Sequence, residues 1–498
     1  VAIARRPLRP GEELWVEDGT PFRSDRVPPG HKVALRSIVE NEPVLKYGQI
    51  IGFAKHAIAQ GSHIHTHNLE SREFRREVKA RASQPVQPYP EAERKLFRGF
   101  ARDNGRVGTR NYIAVISNVN CSASVAKYIR DHFSSKDLLR DFPNVDGILA
   151  FTHKHGCVIQ PGEPTQLLNR VLAGVAKHPN IVGYLMIGLG CEGNQLSTLR
   201  SDFSLGASPL GANSPFFLSI QSQGGIRKTV EAGVRSVSTL LPRAQAAVRS
   251  PFSLSHLILA ENCGGSDAHS GVTANPALGW ASDELIRHGA SSVLAETPEI
   301  YGAEHLLAAR AQSPEVARRL LDCVRWWEEH VRAHGCSIDN NPSFGNKEGG
   351  LTTIYEKSLG AVAKGGQSPL MAVYRYAEQI VSPGLCFMDT PGFDPVSMTG
   401  LMAGGCNIGV FTTGRGSVYG CKPMPCLKVS TTTALYEWMS EDMDLNAGTI
   451  LDGTETVSEV GMRLLEKIIS VASGERTKSE QAGIGDEEFA PWILGPTL

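Results

Sequence analysis

An α/β protein with a small all-β unit in front is what this sequence predicts: residues 1–70 form the β unit, 71–97 a linker, and 98–250 and 251–498 two α/β domains with mainly parallel, Rossmann-like sheets. Three observations carry that expectation. Up to Leu69, short β-forming runs are broken by Pro, Gly and Asn-Glu at the density of hairpins. After the linker the rhythm becomes apolar run, loop, helical segment, as in buried parallel strands with crossover helices. Finally, 498 residues exceed one ordinary core, and the length suggests about three domains.

In chain order, the β-like runs are VAIARRPL, ELWVEDG, HKVALRSI, PVLKYGQIIGFA and the histidine-rich stretch Gly61 to Asn68, with no internal repeat evident. With Tyr47-Gly48 and Gly61 to Asn68 as its marks, this portion resembles a SAF domain, the β-clip module also found in sialic acid synthases and antifreeze proteins. Glu70 to Phe97 is charged and proline-bearing, which reads as a linker opened by one helical turn. The first α/β set has strands at YIAVIS (Tyr112), GILAFT (Gly147), IVGYLMIG (Ile181) and FFLSIQ (Phe216). The second has HLILAE (His256), SSVLAE (Ser291), LCFMDT (Leu385), IGVFTT (Ile408) and CLKVS (Cys426), with the boundary between the sets near Arg249 to Ser253. Ala303 to His334 reads as helix, with Trp326 and Trp327 used in packing. Thr456 to Ser473 closes the chain as an amphipathic helix with Val457, Val460, Leu464, Leu465 and Ile468 on one face.

Lysine plus arginine total 50 against 51 acidic residues, a formal net charge of -1, so no basic excess is available for nucleic acid or anionic lipid. The expected partners are a small molecule and further copies of the chain, as a dimer. No apolar run is long enough to span a bilayer and Val1 to Arg9 lacks a signal-like core, so a cytoplasmic location is expected. Ten cysteines without a CxxC pair, many beside glycine, read as loop thiols in a reducing compartment.

His63, His65 and His67 are spaced by two, which in an extended strand puts three imidazoles in one row suited to a divalent metal. In open parallel sheets, ligands bind outside the carboxyl ends of the strands. There the chain carries His153, His155 and Cys157; Cys191 and Glu192; Cys263 to Asp267; and Glu296 with Glu299. Gly188, Gly190 and Gly193 match GxGxxG, the alternative reading being a nicotinamide-dependent oxidoreductase; the next strand ends in Ile220-Gln221, without the acid that holds a ribose. Arg106, Arg110 and Asn111 beside glycines suit a carboxylate, and Thr413 and Arg415 sit in a TTGRGS turn apt for anions or hydroxyls. Lys347 and Lys357 add amines that could act as base or as charge.

GRVGTRNY, GLGCEGNQ, CGGSDAHSGVTANPALG, GNKEGGLTTIYEKSLG, TPGFDPVS and TTGRGSVYG together resemble the altronate and galactarate dehydratase family of sugar-acid hydro-lyases, and the SAF-like start fits it. The resemblance implies loss of water from a polyhydroxy acid to give a 2-keto-3-deoxy acid, with iron(II) as the metal; Mn2+ or Zn2+ would serve the same donors. It suggests His63, His65, Cys157, Cys191, Glu296 and Glu299 as metal ligands. His153, Glu192 and Lys347 are the candidates for base and acid, and Arg106, Arg110, Asn111, Thr413 and Arg415 for the substrate grip. A variant places an iron-sulfur cluster on Cys157, Cys191 and Cys263. A non-catalytic carbohydrate-binding protein is the other alternative, disfavoured because aromatics are 7% of the chain. The C-terminal part looks like galactarate dehydratases and GNKEGGLTTIYEKSLG like altronate dehydratases, with altronate the preferred substrate.

Overall fold

The computed structural model describes residues 1–74, 86–134, 138–159, 161–205 and 217–495. Part of the expected linker, 75–85, lies outside them. The front unit is made of short antiparallel strands: Ala2–Ile3, Lys32–Val33 and His63–Ile64 form one sheet, and Pro43–Lys46, Gln49–Ala54 and Leu69–Glu70 another. Contrary to the sequence reading, the unit does repeat a device. Arg6 pairs with Glu12 while Glu12 accepts the Arg9 amide, and Arg36 pairs with Glu42 while Glu42 accepts the Val39 amide. The residues between the two arcs differ enough to hide the repeat. Tyr47 and Gly48 both have positive φ, 54° and 73°, the geometry of a two-residue hairpin turn, and this turns the tip from Lys46 to Tyr47 toward the larger body.

We number the strands of the two parallel sheets. The smaller contains β1 (Tyr112–Ser117), β2 (Gly147–Phe151), β3 (Ile181–Gly188) and β4 (Phe217–Ser219), in the order β2-β1-β3-β4 with every pair parallel. Helices α1 (Ala123–Ser134) and α3 (Ile226–Ala246) cover one face through Val125, Ile129, Val237 and Leu240, and α2 (Glu163–Ala176) covers the other through Leu168 and Leu172. The larger sheet contains β5 (Ile258–Cys263), β6 (Ser291–Leu294), β7 (Leu370–Tyr374), β8 (Gly384–Met388), β9 (Ile408–Thr413), β10 (Cys426–Ser430) and β11 (Leu445–Asn446). Their order is β7-β8-β6-β5-β9-β10-β11, again all parallel. Helix α4 (Ala274–Arg287) and the closing helix α8 (Val457–Ala472) bury one face, with Val460, Leu464, Leu465 and Ile468 inward. Helix α7 (Asp394–Gly404) lies on the other face.

Differences from the sequence expectations are local. Only 217–219 of the fourth run is strand, Ile220–Gln223 already turning as helix, and residue 216 lies outside the described residues. The helical block breaks into Glu304–Ala308 and Pro314–Ala333, because Pro314 starts a new helix capped by the Ser313 hydroxyl. Trp327 is fully buried there. Arg249–Ser253, expected at a boundary, is a strand paired antiparallel with Leu96–Ala101, so the chain enters and leaves the smaller sheet unit side by side.

The two sheet units share a core and a polarity. Gly174 near the end of α2 abuts Ala403 near the end of α7, where an added Cβ would meet the Ala403 carbonyl oxygen at 2.2 Å. At the amino ends of the strands, His178 Nε2 donates to the Cys406 carbonyl at 2.8 Å and Asn180 Nδ2 to that of Asn407 at 3.3 Å. No helix among the described residues is long and apolar enough to cross a membrane.

Candidate active site

The reactive side chains of the larger unit gather at the carboxyl ends of β5, β6, β8 and β9. Cys263 ends β5, and the chain after β6 bends so that Glu296 has φ 68°. A non-glycine residue there stores roughly 1–3 kcal/mol of strain. Thr390, after β8, holds the bend by accepting the Glu296 amide on its hydroxyl at 2.9 Å and the Thr297 amide on its carbonyl at 2.9 Å. The turn aims Glu296 back at Cys263 and lets Glu299 follow.

Two lysines, both from the segment after β6, enter this cluster. Lys364 Nζ lies 2.9 Å from Cys263 Sγ and 3.3 Å from Glu296 Oε2. Lys357 Nζ donates to Glu299 Oε1 at 2.5 Å and to Asn341 Oδ1 at 2.7 Å, while Asn341 Nδ2 donates to the same Glu299 oxygen at 3.1 Å. The Cys263 thiol donates to Glu299 Oε2 at 3.5 Å. All five ionisable side chains are buried.

Their environments drive the two glutamates apart. Burial, reinforced by the charge of Glu299, raises Glu296 well above its ordinary value. Burial also acts to raise Glu299, but the ammonium groups of Lys357 and Lys364 outweigh it and hold the carboxyl below its ordinary value. Asp394, at the start of α7, is pushed up to about 7 by burial and by Glu299. Burial pushes the Cys263 thiol up to about 12 despite Lys364.

Cys263, Glu296 and Glu299 are the group of described residues whose donor atoms all lie within 4.8 Å of one another, close enough for one ion. Glu296 Oε1 has no hydrogen-bond partner, so one oxygen in the cluster is unspent. A thiolate with two carboxylates suits a first-row divalent ion, whose charge would replace the positive charge Lys364 now supplies.

The front unit closes over this edge. Lys46 and Tyr47 from the hairpin tip line a small cavity with Cys263, Asp267 and Lys357. Glu356 is fully buried between Lys32 at 2.8 Å and Lys46 at 3.0 Å, and the two ammonium groups hold it far below the ordinary range against the effect of burial.

The imidazole row does not join the expected metal set. The strand covers only His63–Ile64, because Asn68 turns the chain by accepting the His65 amide. His63, His65 and His67 still cluster, with His31 as a fourth ring. Several of their nitrogens are used internally: His31 Nε2 donates to the Glu348 carbonyl at 3.4 Å, His31 Nδ1 lies 2.9 Å from His63 Nε2, and His65 Nε2 donates to the Lys347 carbonyl at 2.9 Å. The row thus docks the front unit on the helix α5 (Phe344–Glu348). The carbonyl of Lys347, rather than an amine, is what it contacts.

Cys157 and Cys191 stand on the other sheet, exposed, after β2 and β3. Of the six expected ligands, Glu296 and Glu299 are the two that fall in a group of three or more donors within 4.8 Å among the described residues, and Cys157 and Cys191 follow strands of a different sheet. Cys263 ends a strand of the larger sheet, while Cys157 and Cys191 follow strands of the smaller one. His153 is buried, with Nε2 donating to the Ser117 carbonyl at 2.9 Å and Nδ1 accepting the His155 amide at 3.1 Å, so both nitrogens fix the loop. Glu192 folds back onto the amides of Leu189 and Gly190 at 3.1 and 2.5 Å. Its carboxylate fills the seat a pyrophosphate would need, which disfavours the dinucleotide alternative.

Arg106, Arg110 and Asn111 precede β1 and so lie at the amino edge, away from the carboxyl ends. Arg110 is 2% exposed and binds Glu480 through both ends of its fork at 2.6 and 2.8 Å. Arg106 donates to Gln379 and to the Gly405 carbonyl, and Asn111 to the carbonyls of Asn144 and Ala244. Arg106 and Arg110 thus tie the two sheet units together, and Asn111 fastens the smaller unit to itself. Thr413 and Arg415 are at the carboxyl edge as expected. Thr413 Oγ1 accepts the Gly416 amide at 3.0 Å, and the exposed Arg415 reaches Glu348 at 3.3 Å. Lys364, Asn341 and Asp394 were not singled out from sequence: a lysine before Gly-Gly reads as a solvated helix end, and only the tertiary packing of its turn, Ala363–Gly365, makes it a neighbour of Cys263.

Comparison with known proteins accords with this architecture. Three family models match successive parts of the chain: an altronate/galactarate dehydratase SAF domain over 1–72, the second domain of D-galactarate dehydratase/altronate hydrolase over 99–245, and the C-terminal part of D-galactarate/altronate dehydratase over 254–497. An altronate dehydratase of Bacillus subtilis (strain 168) is 35% identical over 100% of this chain and 98% of its own length. A galactarate dehydratase (L-threo-forming) of Escherichia coli (strain K12) is 37% identical over 93% of this chain and 89% of its own. The beta subunit of a (2R)-sulfolactate sulfo-lyase of Chromohalobacter salexigens is 31% identical over 80% of this chain and 97% of its own. With matches of this extent over all three structural units, the chain belongs to the altronate/galactarate dehydratase family of hydro-lyases and carries that family's SAF domain at its front.

Proposed function

We propose that this chain removes water from an aldonate or aldarate of the altronate or galactarate type, altronate being preferred, to give a 2-keto-3-deoxy acid at the carboxyl edge of the seven-stranded sheet. The observation that carries the reading is the pair of buried glutamates on either side of Cys263, whose surroundings shift their proton affinities in opposite directions. Neighbouring carboxyls whose environments separate their proton affinities are suited to act as acid and base. The ionised Glu299 accepts the C2 proton, and the protonated Glu296 delivers its proton to the departing C3 hydroxyl, which leaves as water. The enol left behind ketonises. Return of the proton from Glu299 to Glu296 resets the pair.

Lys357 and Lys364 supply positive charge beside the carboxylate whose C2–H bond breaks, lowering the cost of the ene-diolate. Arg415, exposed at the rim, is placed to draw in an anionic substrate. A divalent ion, iron(II) on the family resemblance, would be held by Cys263, Glu296 and Glu299 with both carboxyls deprotonated, a state of the cluster alternative to the acid–base pair, and would there supply Lewis-acid stabilisation of the same charge.

The test is release of 2-keto acid from altronate, galactarate, other sugar acids and (2R)-sulfolactate, each with and without iron(II). Keto acid from altronate or galactarate, lost in Glu296→Gln and Glu299→Gln, supports the reading. Turnover of sulfolactate alone, or sugar-acid turnover unaffected by both variants, overturns it.

A further inference from the structure

Four of the ten cysteines are exposed, and three of these, Cys121, Cys157 and Cys191, stand together by topology. Cys121 lies in the turn Asn120–Ser122 after β1, Cys157 in the loop after β2, and Cys191 in the loop after β3. Those strands are adjacent, in the order β2-β1-β3. Neighbouring strands are about 4.8 Å apart, so three thiols at three successive strand ends span on the order of 10 Å.

The loops are cross-bonded into one rim. Asn120 donates its amide to the His155 carbonyl at 2.9 Å, and Gly193 donates to the Cys157 carbonyl at 2.8 Å. Asn194 donates its amide to the Gly156 carbonyl at 3.1 Å and its side chain to Asn118 Oδ1 at 3.2 Å. Two glycines make this fit possible. Gly156, next to Cys157, has φ 97° and its Cβ would lie 2.6 Å from the Asn118 carbonyl oxygen; Gly190, next to Cys191, has φ 126° and its Cβ would lie 2.7 Å from Gln221 Oε1. The loops' buried polar groups are thus spent on fixing the rim, while the three thiols are left pointing at solvent.

We infer that Cys121, Cys157 and Cys191 bind an iron-sulfur cluster of the four-iron type, one thiolate to each of three irons, with the fourth iron free of protein thiolate. The three do not belong to the set of described residues whose donor atoms converge within 4.8 Å, as ligands of a single ion should. Wider spacing on a fixed rim suits a polynuclear group, and soft thiolates select iron-sulfur clusters. Binding of the assembled cluster, two ferric and two ferrous irons with four sulfides, is a ligand exchange: three S–H protons pass to solvent, three S–Fe bonds form, and the ligands those three irons carried before leave, with no change of oxidation state. The unclaimed iron is open to an oxygen ligand, which is how such a cluster would serve a hydroxy acid. The proposal replaces Cys263 of the sequence reading by Cys121, and it stands independently of the dehydration assigned to the Cys263 group.

The test is anaerobic reconstitution of the full chain with equal amounts of ferrous and ferric iron and with sulfide, read without substrate. The expected result is about four irons and four sulfides per chain, with broad visible absorption and a paramagnetic signal on reduction. Cys121→Ser, Cys157→Ser and Cys191→Ser should each reduce the bound sulfide several-fold while keeping the circular dichroism and melting curve of the parent; Cys263→Ser and Cys336→Ser should retain it. Absence of bound sulfide in the parent, binding of iron or zinc alone, or loss of the cluster in Cys263→Ser but not in the other three would overturn the inference. Because none of these readings uses turnover, their failure is separate from failure of the dehydratase reading.

Discussion

The ammonium nitrogen of Lys364 sits 2.9 Å from the sulfur of Cys263, with both side chains sealed from solvent. A cation buried to this depth is tolerated because its polar neighbours, Cys263 first and then Glu296 and Glu299, raise its proton affinity against the effect of burial.

Removing that charge leaves the others unbalanced. Lys364→Met is expected to cost about 3–5 kcal/mol in urea unfolding, the usual range for breaking a buried pair. It should also lower kcat by at least about 100-fold at saturating sugar acid, as loss of a charge stabiliser does. Unchanged stability and turnover would mean that Lys364 is a spectator.

Glu296→Gln keeps the shape and a donor at the site but has no proton to give. A fall in kcat of about 10²- to 10⁴-fold with little change in KM is expected, the contribution typical of general acid-base catalysis. Glu299→Gln should lose as much activity and also stability, because Lys357 is then left without its counter-charge. A loss confined to KM would argue against proton transfer by either residue.

The imidazole row should be visible in the pH dependence of stability. His63 is pushed down to about 4 by burial and by His31, His65 and His67, against an ordinary 6.5. Between these values the unfolded chain binds a proton that the folded chain refuses. This contribution is therefore intact above 6.5 and is lost as pH falls toward 4. His63→Asn should flatten the slope in that window in thermal melts, and should leave bound-metal content unchanged if the row only docks the front unit.

Arg110→Met tests the seam between the sheet units. With five hydrogen bonds from its guanidinium to Glu480, Thr109, Val471 and Glu475 lost, the melting temperature should fall by several degrees while KM of any surviving enzyme stays the same. A rise in KM without loss of stability would return Arg110 to the substrate.

Periodicity and punctuation were enough to find the strands that matter. The apolar runs at Tyr112, Gly147, Ile181, Ser291, Ile408 and Cys426 each became a buried parallel strand, because a strand covered on both faces must be apolar throughout. The sequence also pointed to Cys157, Cys191, Glu296 and Glu299 as residues just past strand ends, and its motifs identified the family. What it did not contain was strand order. Sequence spacing tells which residues follow a strand, but hydrogen bonding between strands far apart in the chain decides which ends are neighbours. Placing β1 between β2 and β3 brought Cys121 into line with Cys157 and Cys191, and placing β5 beside β6 gave Cys263 to Glu296, Glu299 and Lys364. The same physics moved Arg106, Arg110 and Asn111 to the opposite edge, since residues before a parallel strand and residues after it can never share one end of the sheet.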